Sequence, residues 1–176
     1  MKYLLQASRR VDSLNTLVGR SVRWLILLAV VVSAGNAIVR KAFQTSSNAL
    51  LEIQWYLFAA VFLLCAGYAL LTNVHVRIDF VSSRLSSRSR AWIEILGLAL
   101  VAVPFCWLLI HLSLPLVLDA LRSGEVSPNA GGLLRWPVYA LLPLGMLLLL
   151  LQCLSELIKQ MAFLRGLNPA RGNTHG

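Results

Sequence analysis

Four apolar blocks, each near the length of a membrane-crossing helix, limit what this chain can fold into more than any other feature. They read WLILLAVVVSAGNAIV (Trp24–Val39), IQWYLFAAVFLLCAGYALL (Ile53–Leu71), WIEILGLALVAVPFCWLLIHLSLPLVL (Trp92–Leu118) and VYALLPLGMLLLLLQCLSELI (Val138–Ile158). A spanning helix takes about 17 to 25 mostly apolar residues. The second and fourth blocks meet that length outright, and the first meets it once Ser21 to Arg23 are added with Arg23 snorkelling outward. The third is longer than a span, which predicts a tilt or a bend near Pro104 or Pro115. Strand-like alternation is missing, so helices are the way to satisfy the backbone in lipid. The expectation is an all-α integral membrane protein, a single domain over residues 1–176, with four transmembrane helices at about 21–39, 53–72, 92–118 and 138–158.

Composition agrees. Hydrophobic residues make up 58% of the chain and charged ones 13%, where soluble domains average about half apolar and a quarter charged. A net charge of +9 would suit nucleic acid only if the basic residues gathered on a folded soluble face. Here they sit between apolar blocks, so the expected partner is membrane lipid and not nucleic acid.

Ahead of the first block, Leu4, Ala7, Val11, Leu14 and Val18 recur at helical spacing, with Arg9, Arg10, Asp12 and Arg20 among the polar positions. This reads as an amphipathic interfacial helix over residues 2–20, lying on the membrane surface. About twenty polar and basic residues before the first block also make a cleaved signal peptide a poor fit. Lys2, Arg9, Arg10, Arg20, Arg23, Arg77, Arg84, Arg88, Arg90, Lys159, Arg165 and Arg171 fall on one side of such a four-span chain, against Arg40, Lys41, Arg122 and Arg135 on the other. The positive-inside rule then predicts both termini in the cytoplasm, with the segments after Val39 and after Leu118 facing outward.

Chemistry-bearing patterns are sparse. Cys65, Cys106 and Cys153 fall one to a helix without paired spacing, so they read as small packing residues. Nothing resembles a nucleophile elbow, a zincin motif or a phosphate loop, and the expectation is no enzyme and no cofactor. Asp, Glu, Lys, Arg and His are absent from 25–39, 57–71, 96–110 and 138–155, whereas an ion-coupled carrier keeps such groups near the midplane. Glu52 and Glu94 lie near helix starts, where the dipole favours an anion, and Glu156 lies three residues before Lys159 as a local pair. Gly35, Gly67, Gly97 and Gly145 offer one close-approach position per helix. After the second block, HVRID sets His75, Arg77 and Asp79 at every second position. Two ligand-type residues are too few for zinc, so this segment reads as a structural anchor at the membrane rim.

Taken together, LLEIQWYLFAAVFLLCAGYALL followed by NVHVRIDF, then SGEVSPNAGGLLRWP leading into LLPLGMLLLLLQCLSELIK, resembles the small membrane subunit of tripartite ATP-independent periplasmic (TRAP) transporters, the DctQ-like family, over about Arg40 to Lys159. The resemblance implies a scaffold subunit in a bacterial inner membrane. Its partners would be a large DctM-like permease subunit, which carries the substrate and sodium sites, and a periplasmic substrate-binding protein delivering an organic acid. Glu52, His75, Arg77 and Asp79 would then be subunit-interface or structural residues. In the stretch Asp119 to Pro137, Arg122, Glu125 and Arg135 would help dock the binding protein. The alternative is an autonomous small four-helix transporter acting as an oligomer. A membrane oxidoreductase stands further off.

Overall fold

The computed structural model describes residues 2–43, 48–72, 86–129 and 131–167. The first element, α1 (Lys2–Phe43), is one helix of 42 residues, about 63 Å long at 1.5 Å per residue. The expected boundary between an interfacial helix and the first span, at Arg20–Ser21, is not a break in the chain. No proline interrupts this stretch. Gly19, the one residue there that could loosen the helix, is a packing position, because a Cβ on it would lie 2.3 Å from Cγ of Tyr68.

The face of α1 that packs is also not the one its hydropathy suggests. Its buried residues are Ser8, Asn15, Val22, Ala29 and Asn36, a repeat of seven, the period that keeps one seam of a helix against its neighbours. Leu4, Leu14 and Leu17 are exposed. The apolar stripe of 2–20 therefore lies on the outside of the bundle, and small and polar residues make the packing face. Hydrocarbon is as apolar as leucine, so association in a membrane selects small and hydrogen-bonding side chains and leaves the leucines to lipid.

The second span runs from Asn48 to Leu71 as α2 (Asn48–Leu64) and α3 (Ala66–Leu71), joined at Cys65, whose N–H still donates to the Val61 carbonyl at 3.1 Å. The third combines α4 (Ser87–Gly97), a π-helical segment Leu98–Ala102 and α5 (Val103–Ser123). Ser86 caps its start by accepting from the Ser89 N–H at 3.2 Å, and Gly124, at φ 63°, ends it in the left-handed conformation. Of the two prolines predicted to disturb this span, the irregularity falls just before Pro104. Proline has no N–H to give the preceding turn, and a widened π turn accommodates the lost bond. Pro115 sits inside regular α5.

The fourth span, α6 (Trp136–Leu164), packs against every other helix. Of its most apolar stretch 39% is buried, against 6% for the third span, so α6 is the centre and the third span the periphery. All four helices exceed the apolar blocks at one or both ends, because polar flanking residues continue the helix past the hydrocarbon. Among the described residues there is no strand, and four helices are long and apolar enough to cross a membrane. Of the four glycines singled out as close-approach positions, two serve. A Cβ on Gly67 would meet Asn15 Oδ1 at 2.3 Å, and one on Gly145 the Leu63 carbonyl oxygen at 2.6 Å, whereas Gly35 and Gly97 face nothing within 4 Å.

Candidate functional site

Two polar constructions stand at opposite ends of this bundle. The first is a tight turn between α5 and α6. The Ser127 N–H donates to the Leu133 carbonyl and the Arg135 N–H to the Glu125 carbonyl, each at 2.9 Å, around a single antiparallel bridge between Val126 and Leu134. Gly131, at φ 73°, turns the chain. Glu52, from the first turns of α2, reaches up into the turn and is 2% exposed. Its Oε1 accepts from Asn129 Nδ2 at 2.7 Å and its Oε2 from the Leu133 N–H at 2.8 Å. One helical turn later Tyr56 donates its hydroxyl to the Leu134 carbonyl at 3.1 Å. The N-terminal position read from sequence is right, yet the partner of Glu52 is this distant turn and not its own helix.

Arg135 and Glu125 form an ion pair at 3.4 Å, both partly exposed, and Arg135 also donates to the Tyr139 hydroxyl at 3.1 Å. That hydrogen bond first, with the nearby Glu125 carboxylate adding to it, raises the Arg135 pKa above its already high ordinary value. Arg122 stands apart on the last turn of α5, exposed. Thus two of the three residues expected to form a docking surface are paired with each other. Asp119 to Ser123 are helical, which leaves the turn itself as residues 124–135.

The second construction joins the start of α1 to the end of α6 and was not foreseen. Lys159 lies 2.7 Å from Asp12 and 2.7 Å from Glu156. Gln152 donates to Asp12 at 2.9 Å and to Glu156 at 3.2 Å, and accepts from Asn15 at 2.8 Å. Ser155 donates to Asp12 at 2.9 Å and shares a 2.7 Å hydrogen bond with Ser8. The local Glu156–Lys159 pair exists, but it is one edge of a network between segments some 140 residues apart. Gln160 donates to Glu94 and so ties α4 to the same end. The signal was present as two polar stripes at helical spacing, Ser8-Asp12-Asn15 and Gln152-Ser155-Glu156-Lys159. Nothing in a single sequence says that two such stripes face each other.

Between these ends, Cys106 and Cys153 are both fully buried and near each other, α5 against α6. Spacing in sequence gave no hint of this meeting. Both remain free thiols. No group of three or more His, Cys, Asp or Glu that could hold a metal ion occurs among the described residues. His75, Arg77 and Asp79 lie outside the described residues.

The family model for the DctQ component of tripartite ATP-independent periplasmic transporters matches residues 27–163. The chain belongs to this family. The match runs from inside the first span to the penultimate residue of α6, and so takes in most of the first span, the other three and the Glu52 turn. Comparisons with curated proteins and with solved structures gave no match. As a DctQ component it is part of a transporter, and both polar constructions are to be understood within an assembly. Only the first 26 residues, including the α1 side of the Asp12–Lys159 network, precede the matched region.

Proposed function

We propose that this DctQ component is the fixed scaffold of a TRAP importer of organic acids, holding a DctM-like permease subunit and helping to dock the periplasmic binding protein. Sodium coupling and substrate binding would reside in the permease. Both termini would be cytoplasmic in a bacterial inner membrane, which puts the 124–135 turn in the periplasm. The asymmetry of Lys and Arg between the two ends supports that orientation. His75, Arg77 and Asp79 would anchor the cytoplasmic rim between the second and third spans.

The observation that carries the docking role is the pinned turn. A connection of twelve residues is held against α2 through the buried Glu52 carboxylate, with the partly exposed Glu125–Arg135 pair near its two ends and Arg122 on the preceding helical turn. A pre-shaped, charged surface loses little entropy when a partner binds it. The discriminating experiment exchanges the pair, Glu125→Arg together with Arg135→Glu, which keeps the ion pair and inverts its field. Binding-protein-dependent uptake should slow while assembly with the permease is unchanged. Unaltered uptake would remove the docking role and leave the turn as a closed connection.

A further inference from the structure

The last turns of α1 border a groove that neither construction uses. It holds about 470 Å³ between the end of α1 and the start of α2, and Ser33, Asn36, Arg40, Lys41, Leu51 and Gln54 line it. Positions 33, 36 and 40 stack on one face of α1. Gln54 donates to the Ser33 hydroxyl, which itself donates to the Ala29 carbonyl at 2.7 Å, so this wall is fixed. Asn36 is different. It is 7% exposed, and its Oδ1 is buried with no hydrogen-bond partner, an arrangement that costs free energy until a donor reaches it.

Beside that orphaned acceptor, Arg40 and Lys41 are exposed and have no carboxylate partner among the described residues. Its apolar edge is Ala37 and Leu51, the latter 45% exposed. Two free cations, one acceptor in want of a donor, and an apolar edge describe a ligand with an anionic group, a hydroxyl or ammonium donor, and a hydrocarbon portion. The groove also sits where α1 ends and the second span begins, and Lys and Arg at the ends of membrane helices attract lipid phosphates.

We infer that this groove binds one phospholipid, its phosphate on Arg40 and Lys41 and its headgroup hydroxyl or ammonium donating to Asn36 Oδ1. The site requires only that α1 and α2 cross the membrane, so it stands or falls independently of the scaffold role. Native mass spectrometry of the full chain, delipidated in detergent and titrated with phosphatidylglycerol, phosphatidylethanolamine or inorganic phosphate, tests it. The unaltered chain should retain one lipid through detergent exchange. Arg40→Gln with Lys41→Gln, both surface positions, should lower retention by about tenfold or more, as the loss of two lipid-facing charges implies. Asn36→Leu should also weaken retention, while Arg122→Gln at the same end of the bundle should not. Retention by the Arg40/Lys41 double variant equal to that of the unaltered chain would overturn the site. Displacement of the lipid by inorganic phosphate would overturn the lipid assignment in favour of a soluble anion.

Discussion

Lys159 is the residue on which the α1–α6 end depends. It is 13% exposed at its side chain and faces carboxylates from two helices. Removing one member of a buried ionic network costs more than the network contributes, because the remaining charges keep their desolvation penalty. Lys159→Met should therefore destabilise the detergent-solubilised protein by about 2 to 3 kcal/mol, less than for a fully buried pair since Asp12 keeps a quarter of its exposure. Adding Asp12→Asn and Glu156→Gln should recover much of the loss, as thermal unfolding would report. Glu52 makes a parallel case at the other end. Glu52→Gln keeps the shape but turns an acceptor into a donor opposite either Asn129 Nδ2 or the Leu133 N–H. Proteolysis within Pro128–Gly132 should then accelerate while the spans stay resistant. Sequence marked both Glu52 and Glu156 as structural residues near helix ends. It could not name Asn129 and Leu133 as the partners of Glu52, or Asp12 as the second carboxylate on Lys159, because those contacts exist only after distant helices have packed.

At the scale of elements, the four spans were legible because backbone hydrogen bonding in lipid leaves a run of twenty apolar residues little choice but a helix. Which face of each helix turns inward was not legible. Hydropathy sorts residues by their preference for water, whereas these helices pack by size and hydrogen bonding, and α1 accordingly buries Ser8, Asn15 and Asn36 while exposing Leu14 and Leu17. Glycines divide for the same reason. Gly145→Ala places a methyl carbon 2.6 Å from the Leu63 carbonyl oxygen and should lower stability by about 1 to 3 kcal/mol through overpacking of α2 on α6. Gly97→Ala, with open space around it, should be neutral or slightly stabilising by helix propensity. Equal melting shifts for the two variants would contradict this packing of the second and fourth spans.

For the molecule as a whole, the order of burial suggests how it is used. A central α6, with α1 and the second span around it, forms a body tied at both ends, and the third span exposes Trp92, Phe105 and Trp107 on its flank. Orientation is open to a direct check. A cysteine at Ser123 should react in intact cells with a membrane-impermeant reagent, and one at Ser87 only after the cells are opened; the reverse pattern would invert the topology. The scaffold role itself is tested most directly by uptake into proteoliposomes holding the DctM-like permease, with the binding protein and sodium supplied outside, in the presence and absence of this chain. The account predicts organic-acid uptake only when permease, binding protein and this chain are all present, and none with this chain alone. Uptake by this chain alone, or full uptake by the permease without it, would contradict the account.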